Sequence, residues 1–346
     1  MEERSYLQWL VEQTPTRWWH DSGDPDELDQ GLRHGASGVT TNPVLTSQAL
    51  YAQPDYWRPR VGTMGSGLNA GEKVEWLMKA VAVPTAAKLV SHHRASNGVG
   101  GYVCAQVDPN EAANRDAMLA MARRFHAWAP NIAVKLPVTA AGLDVLETCV
   151  AEGITITATV SFTVPQVLAI AERHRAGARR ARQAGIEPGH CFAVIMIGRL
   201  DDYLRDVAND NGVALAEADI RVAGLAVTKR AYEVYKAEAY EAVLLVAALR
   251  GTYHMTELAG AELIMSIHPK VQSLLLAPDV PREQRIDRPI DPAAIERLRA
   301  LPEFVRAYEP GGMRPEDFVT YGVTQRTLSQ FDHAGWSSLA ACKLFS

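Results

Sequence analysis

Short apolar runs alternate with longer stretches of helical periodicity along most of this chain. The runs have the length and apolar character of buried strands, and eight of them can be distinguished: Trp18–Asp21, Gly38–Thr41, Gly101–Val107, Ile132–Pro137, Ile154–Phe162, Phe192–Gly198, Val243–Leu249 and Glu262–Ile267. The intervening pattern predicts helices over Ala112–Ala127, Ala140–Glu152, Val164–Gln183 and Val227–Tyr240. This alternation predicts parallel strands joined by right-handed helical crossovers.

Eight strand–helix units are the number in a closed (β/α)8 barrel, so we predict an α/β protein with the TIM-barrel fold. A doubly wound open sheet is the alternative, but no Gly-x-Gly-x-x-Gly sequence follows the first strand. The second connection, residues 46–100, is expected to be helical over Ala70–Val83 and to end in a polar, glycine-rich turn. Residues 292–301 and 323–331 are expected to form a C-terminal helical tail. The whole chain, residues 1–346, is predicted to be a single domain.

The composition of the chain argues against several classes of function. The chain has 346 residues, a formal charge of −5, 47% hydrophobic and 22% charged residues, which is typical of an ordinary globular protein. Its one basic cluster, Arg173–Arg182, lies on a predicted helix, so nucleic-acid binding is not expected. Four scattered cysteines give no metal or redox pair. With no signal peptide and no apolar run long enough for a bilayer, we expect a cytoplasmic protein that has no membrane contact and is compatible with a homodimer.

Lys135 lies inside the apolar run Ile132–Pro137. A lysine in a buried strand is costly unless its ammonium group is paired or loses its proton. A neutral, desolvated amine is the form that attacks a carbonyl carbon to make a Schiff base. The alternative is a structural lysine whose side chain extends to water. Other parts of the sequence favour the catalytic interpretation.

Polar residues lie near the carboxyl ends of most predicted strands, where a parallel barrel collects its active groups. Taken singly, each has a structural explanation such as a helix cap, a turn or a surface ion pair. Taken together, they place an amine, a carboxylate, neutral hydrogen-bonding groups and two guanidinium groups at one rim: Asp21, Thr41, Asn42, Gln106, Lys135, Thr157, Thr159, Arg199 and Arg250. This set predicts a site that activates a carbonyl group and binds an anion.

Several motifs resemble the transaldolase family. The segment Gly38–Pro43 is similar to its Thr-Thr/Ser-Asn-Pro-Ser/Thr signature, and Asn131–Thr139 followed by Ala141–Leu143 is similar to its Schiff-base lysine motif. The similarity covers roughly residues 15–335 and extends through Glu152–Ile154, Phe162, Gln166, Gly198-Arg199, Ala247–Arg250, Leu258–Gly260 and Thr327–Phe331. The lysine and Asn-Pro motifs are specific in combination, whereas the arginines are weaker signals alone.

The resemblance implies a transferase of carbohydrate metabolism, as in the pentose phosphate pathway, acting on sugars or sugar phosphates without a cofactor or metal. A dihydroxyacetone unit would pass from a ketose to an aldehyde through a Lys135 Schiff base. Asp21 would move the hydroxyl proton during carbon–carbon cleavage, and Thr159 would hold the proton-shuttling water. The implied substrate-binding residues are Asn42, Thr41, Thr157, Arg199, Arg250 and Met196, with the two arginines on a phosphate.

Gln106 departs from the family pattern. Transaldolases usually have a glutamate in the third strand, and an amide can orient water but cannot act as a general base. The related bacterial fructose-6-phosphate aldolases have Ala-Gln-Val at this place and a lysine motif close to Val134–Leu143, which favours direct aldol cleavage. Those aldolases carry a tyrosine in the sixth strand, however, where this chain has Met196. Transfer and cleavage therefore both remain open.

The anion site also departs from the pattern, because Val194 and Ala248 stand where transaldolases commonly have serines. Losing two hydroxyl donors should weaken phosphate binding by about 1 kcal/mol per hydrogen bond. We therefore expect an altered substrate that depends less on phosphate or carries another anion. Val44, where the family has Ser or Thr after Asn-Pro, removes a local cap and is expected to be structural.

Two other classes of function are possible alternatives from the sequence. A non-catalytic barrel that only binds a ligand is allowed by Gln106, Val194 and Ala248. Metal-dependent aldol chemistry is disfavoured, because the adjacent residues His92 and His93 are expected in a loop with diverging side chains. His254 and His268 are expected at the rim or on the surface, where they would serve no metal site.

Overall fold

The computed structural model describes residues 5–62 and 67–345. In this part of the chain, a curled sheet of seven parallel strands forms the centre of the molecule, in the order β1-β7-β6-β5-β4-β3-β2. The strands are β1 (Arg17–His20), β2 (Val103–Gln106), β3 (Ile132–Pro137), β4 (Ile156–Thr159), β5 (Cys191–Met196), β6 (Val243–Ala247) and β7 (Ile264–Ile267). Nearly all their residues are buried, because helices cover the outer face of a parallel sheet. The predicted α/β class and the parallel strands are confirmed.

The second predicted strand, Gly38–Thr41, is much shorter than expected. Only Val39 pairs, through single parallel bridges to His20 and Val103. Its N–H group donates to the Tyr102 carbonyl oxygen at 2.8 Å, while its own carbonyl accepts from the Cys104 N–H group at 3.0 Å. The ladder stops there because the chain turns directly from Thr41 into the next helix. Val39 thereby lies between the two edge strands, β1 and β2.

Helices surround the sheet, and several begin with a side-chain cap. In chain order they are α1 (Tyr6–Gln13), α2 (Pro25–Arg33), α3 (Pro43–Ala52), α4 (Pro54–Val61), α5 (Ala70–Ala95), α6 (Arg115–His126), α7 (Ala140–Ala151), α8 (Val164–Gln183), α9 (Ile197–Asp210), α10 (Glu217–Ala237), α11 (Thr252–Leu258), α12 (Pro269–Leu275), α13 (Pro292–Leu298), α14 (Pro302–Tyr308), α15 (Gly322–Phe331) and α16 (Ser337–Ala340). Short 3₁₀ turns at Pro109–Glu111 and Pro315–Asp317, and a π-helical turn at Asp332–Trp336, complete the set.

The helical second connection and the C-terminal helical tail are confirmed, but two helix boundaries differ from the prediction by ten residues or more. Helix α10 begins at Glu217, ten residues before the predicted start at Val227. Helix α5 continues through Pro84 to Ala95, because Val81 and Leu89 on either side of the proline are buried in the core. His92 and His93 therefore lie in the last turn of α5, and the expectation that they lie in a loop is wrong.

Aromatic rings fill the amino-terminal end of the sheet. The Trp19 and Phe192 rings meet edge to face with centroids 4.6 Å apart, and Tyr102 packs against Phe192 at 5.6 Å. Gly38 passes so close to Trp19 that a Cβ atom there would lie 2.6 Å from the indole nitrogen. These rings close the amino-terminal end, so a functional site is expected at the open carboxyl-terminal end of the sheet.

The described helices include none that is both long and apolar enough to cross a membrane. The most exposed large apolar side chains are Val99, at 61%, and Leu274, at 56%. They lie after α5 and on α12.

Candidate functional site

A cavity of about 370 Å³ opens at the carboxyl ends of the strands. Residues of β3, β4, β5, β6 and β7 and of the segments that follow β1, β5, β6 and β7 line it, as the barrel prediction requires. Of the residues predicted from sequence, the lining includes Asp21, Asn42, Lys135, Thr159, Met196, Arg199 and Arg250. Gln106, Thr41 and Thr157 are outside the lining, close to Lys135.

Strand β3 places Lys135 in the wall of this cavity with a side chain that is only 6% exposed in total. Its Nζ atom donates a long hydrogen bond, 3.4 Å, to the Thr41 carbonyl oxygen. No carboxylate among the described residues lies within 4 Å of Nζ. A buried amine without an anionic partner is an uncommon and costly arrangement. This geometry favours a functional rather than a structural lysine.

Two buried polar atoms near Lys135 have no hydrogen-bond partner among the residues described. They are Gln106 Oε1 and Thr159 Oγ1, in side chains exposed by 2% and 1%. Gln106 is the register partner of Lys135 on β2, and Thr159 is the last residue of β4, opposite Pro137. Because buried polar groups are nearly always paired, these two atoms are available to a substrate or a water molecule beside the amine.

Asp21 directly follows β1 and accepts a hydrogen bond from the Thr40 hydroxyl at 2.6 Å. The same hydroxyl lies 2.6 Å from Ser266 Oγ. These contacts fix the carboxylate in the cavity wall without an ion-pair partner in the described chain. Asp21 can therefore exchange a proton with a bound hydroxyl group.

Asn42 is the N-cap residue of α3, with Pro43 at the first helical position. Its Oδ1 atom accepts from the Leu45 N–H group at 3.0 Å. The side-chain orientation is therefore fixed, and the amide nitrogen remains as a hydrogen-bond donor for a ligand.

The Thr41 and Thr157 hydroxyl groups are turned towards Cys104. Thr41 Oγ1 donates to the Cys104 carbonyl oxygen at 2.5 Å, and Thr157 Oγ1 lies 3.3 Å from Cys104 Sγ. Burial raises the pKa of the Cys104 thiol, so it stays neutral. Both threonines thus support the strands beside Lys135, while their place in the list of substrate-binding residues stays a prediction.

The two arginines lie close together on one side of the cavity. Arg250 donates from Nε and Nη2 to Asp202 Oδ2 at 2.9 and 2.8 Å. Arg199 donates to Gln330 Oε1 and lies over the Phe331 ring, 5.4 Å from its centroid. Burial, and to a smaller extent the charge of Arg250, lowers the pKa of Arg199 to about 10. Arg199 remains charged at neutral pH, and its repulsion from the neighbouring Arg250 guanidinium group favours a bound anion.

Gly198 permits this approach of the arginines. A Cβ atom at Gly198 would lie 2.4 Å from the Ala248 carbonyl oxygen and 2.5 Å from Arg250 Cγ. Ala248 itself has a φ of +58°, a left-handed conformation that is unfavourable for any residue with a Cβ atom. The chain after β6 is therefore tightly fitted against the start of α9.

Several lining residues were not predicted from the sequence. Ser266 lies near the end of the eighth predicted strand, Glu262–Ile267, and His268 and Lys270 follow it, so the rule that active groups lie at strand ends would have found them. Gln330 and Phe331 come from α15 in the tail, and only the folded chain shows their place at Arg199. Most of the remaining wall is apolar and includes Val194, Met196, Leu245 and Ala247.

The expectation that both His254 and His268 lie at the rim or on the surface holds only for His268. His254 is fully buried and hydrogen-bonds Asp201 at 3.0 Å. Residues 5–62 and 67–345 contain no group of three or more His, Cys, Asp and Glu side chains placed to hold a metal ion.

Comparison with known sequences agrees with this geometry. The sequence profile described as transaldolase/fructose-6-phosphate aldolase matches residues 18–307. The chain belongs to the transaldolase/fructose-6-phosphate aldolase family. The resemblance found in the lysine and Asn-Pro motifs is thereby confirmed.

Relatives with the name transaldolase share about three residues in ten with this family member. Transaldolase 1 of Streptomyces avermitilis is 29% identical over 204 residues, which cover 58% of this chain and 54% of the relative. The Neisseria gonorrhoeae transaldolase is 29% identical over 201 residues, 56% of this chain and 57% of the relative. The Kocuria rhizophila transaldolase is 30% identical over 204 residues, which cover 58% of this chain and 55% of the relative. The matched region thus spans little more than half the length of each relative.

Proposed function

We propose that this protein is a transaldolase-type transferase, which moves a dihydroxyacetone-type unit from a ketose to an aldehyde through a Schiff base on Lys135. The observation that carries the proposal is the buried amine of Lys135, which has no anionic partner in the described chain and opens into a cavity with two arginines. The family membership of the chain supports it.

The first step is attack of the Lys135 amine on the ketose carbonyl carbon, which gives a carbinolamine. Loss of water from that adduct gives a protonated imine, with the nitrogen lone pair forming the second C–N bond. The departing hydroxyl group needs a proton. We assign its delivery to a water molecule held by the unpartnered Thr159 hydroxyl and Gln106 amide oxygen.

Carbon–carbon cleavage follows from the electron-withdrawing imine. Asp21 takes the proton of the hydroxyl group on the far carbon of the bond that breaks, that carbon becomes the aldehyde, and the bond electrons move into the imine to give an enamine. The aldehyde product leaves. When a second aldehyde binds, the enamine attacks its carbonyl carbon, Asp21 returns the proton, and hydrolysis of the new imine releases the longer ketose.

The remaining residues bind the substrate. The Asn42 amide nitrogen donates to a hydroxyl group of the three-carbon unit, and Met196 shapes the apolar wall beside it. Arg199 and Arg250 bind a phosphate or another anion at the far end of the sugar. Because Val194 and Ala248 supply no hydroxyl donors, the preferred substrate is expected to depend less on phosphate than in a serine-containing relative.

We also propose that the sheet closes into a barrel. Residues 38–40 hydrogen-bond to both β1 and β2 and supply a short eighth strand. A closed (β/α)8 barrel in one domain would result, with the reacting lysine inside its carboxyl-terminal mouth.

Direct aldol cleavage is the second candidate, and Gln106 is the observation that favours it. A transaldolase with a weaker proton shuttle would release its three-carbon unit as free dihydroxyacetone instead of transferring it to a second aldehyde. A barrel that binds a sugar without reacting is the third candidate. The uncompensated burial of Lys135 disfavours it, because ligand binding alone does not require a buried, unpaired amine.

A screen of donors and acceptors, followed by mass spectrometry, tests the proposal. Fructose 6-phosphate with erythrose 4-phosphate should give a seven-carbon ketose phosphate, and its absence with continued release of dihydroxyacetone would favour the lyase. Parallel rates with the unphosphorylated sugars test the altered substrate. A preference for phosphate above a thousandfold would contradict it.

A further inference from the structure

Asp201 and His254 form a buried pair behind the cavity wall. Asp201 is 1% exposed and His254 is fully buried, and Asp201 Oδ2 lies 3.0 Å from His254 Nε2. Neither residue lines the cavity, and the reaction steps above do not use them. A buried carboxylate and imidazole need a reason to be retained, because their desolvation is costly.

Both ends of this pair bind backbone N–H groups. His254 Nδ1 lies 3.2 Å from the Arg250 nitrogen, and Asp201 Oδ1 lies 2.8 Å from the Gly224 nitrogen. An imidazole nitrogen that accepts a hydrogen bond carries no proton, so the proton of His254 is on Nε2 and points at Asp201. A chain of hydrogen bonds therefore runs from α10 through Asp201 and His254 to the backbone of Arg250.

The next residue on α9, Asp202, binds the guanidinium group of Arg250. Helix α9 thus holds Arg250 at two points, the backbone through Asp201 and His254 and the side chain through Asp202. The same helix carries Arg199. The left-handed Ala248 shows that the chain before Arg250 is not in a relaxed conformation, and its carbonyl oxygen accepts from Arg250 Nη1 at 2.9 Å.

We infer that Asp201 and His254 are positioning residues that fix Arg250 against Arg199, and that they set the affinity of the site for a phosphate-like anion. The inference rests on the proposed anion-binding role of the two arginines. This role requires one tautomer of His254, in which an unprotonated Nδ1 atom accepts the hydrogen bond from the Arg250 N–H group.

An asparagine at position 201 separates this role from simple packing. The aspartate accepts one hydrogen bond on each oxygen, from His254 and from Gly224. Asparagine has nearly the same shape but only one acceptor oxygen. If its amide group faces the histidine, the histidine must move its proton to Nδ1, where it opposes the Arg250 N–H group. If the amide faces Gly224 instead, that backbone N–H group loses its hydrogen bond to residue 201 and faces a second donor.

The test is Asp201→Asn, with Asp206→Asn as the matched control. Asp206 lies on the same helix but is exposed, and it pairs with Arg326 at the surface. We expect roughly tenfold weaker binding of inorganic phosphate in Asp201→Asn, the effect of one lost hydrogen bond to a charged partner, and no change in the control. Adduct formation between Lys135 and unphosphorylated dihydroxyacetone should stay within twofold of wild type.

Wild-type phosphate affinity in Asp201→Asn would overturn the inference. Equal losses of phosphate binding and dihydroxyacetone reactivity would also overturn it, because they would indicate general damage. If the wild type itself binds no phosphate, the anion-binding part of the proposed function fails and the inference falls with it. Should Asp201→Asn not fold, His254→Gln replaces it. Its amide still donates to Asp201 but offers no acceptor at the Nδ1 position, and the same selective loss is expected.

Discussion

Gln106 and Lys135 are register partners on the neighbouring strands β2 and β3, and both side chains are buried. The amide oxygen of Gln106 has no partner among the residues that the structure describes. An amide beside the amine can hold a water molecule but cannot take its proton. We therefore expect this side chain to influence how the proposed reaction divides between transfer and cleavage.

A Gln106→Glu variant should shift that division towards transfer. A carboxylate at the same place can act as a general base for the water that forms and breaks the carbinolamine, a contribution of roughly 100-fold or more where it operates. We expect the ratio of seven-carbon product to free dihydroxyacetone to rise. Product ratios from fructose 6-phosphate and erythrose 4-phosphate, measured at several pH values, provide the check.

Gln106→Met is the control for this change, since it keeps the bulk and removes the polar atoms. It should slow adduct formation without favouring transfer. An unchanged product ratio in Gln106→Glu, with the variant folded, would refute the assigned role in water handling.

Asp21→Asn should separate adduct formation from carbon–carbon cleavage. Asparagine keeps an acceptor for the Thr40 hydroxyl but cannot take a proton, so the imine should form on Lys135 while cleavage slows by roughly 100-fold or more. Single-turnover mass spectrometry would detect the intact ketose adduct. The exposed Asp116 provides a control through Asp116→Asn. Equal loss of adduct and cleavage in Asp21→Asn would mean that Asp21 acts on binding instead.

Lys270 should contribute to anion binding although the sequence did not identify it. It lies at the cavity rim after β7, next to the strand that precedes Arg250, and no carboxylate in the described residues pairs with it. Removing an exposed charge of this kind changes attraction more than contact. We expect Lys270→Ala to raise KM for a phosphorylated sugar about threefold to tenfold, with kcat unchanged and the effect lost in high salt.

Lys79→Ala, an exposed lysine on α5 remote from the cavity, is the matched control and should change neither constant. Identical KM values for wild type and Lys270→Ala at low salt would remove Lys270 from the site.

His20 should make the fold sensitive to acid. Burial lowers its pKa from 6.5 to about 4, and the Asp21 charge offsets this only in part. Between these two values the unfolded chain binds a proton that the folded protein does not, so stability is present above pH 6.5 and falls as the pH drops towards 4. The expected loss from this group is about 2 kcal/mol between pH 7 and pH 5.

The free energy of unfolding in urea, measured at both pH values for wild type and His20→Asn, isolates the effect. The variant lacks the titrating ring, so its loss should be smaller by that amount. The same loss in both proteins would show that His20 is not the group responsible.

The sequence predicted the elements whose pattern is local. Strand β3 and helix α8 match their predicted ranges, because apolar runs and helical periodicity depend only on residues that are close in sequence. The rule that active groups gather near the carboxyl ends of parallel strands then predicted that Asp21, Lys135 and Arg250 surround one cavity. That rule does not require knowledge of contacts between distant residues.

What the sequence missed depends on contacts between distant segments. Gln330 reaches Arg199 across 131 positions of the chain. The burial of His254 follows from its partner Asp201, 53 positions away. The continuation of α5 through Pro84 is likewise decided by packing of its buried face and not by the local propensity of proline.

The most direct measurement is reductive trapping of the Schiff base. Wild-type protein is incubated with fructose 6-phosphate or dihydroxyacetone, treated with borohydride, and digested for peptide mass spectrometry, with a folded Lys135→Met variant in parallel. We predict a stable three-carbon adduct on Lys135 in the wild type and none in the variant. A wild-type protein that stays unmodified with every donor, or that carries the adduct on another lysine, would contradict the account.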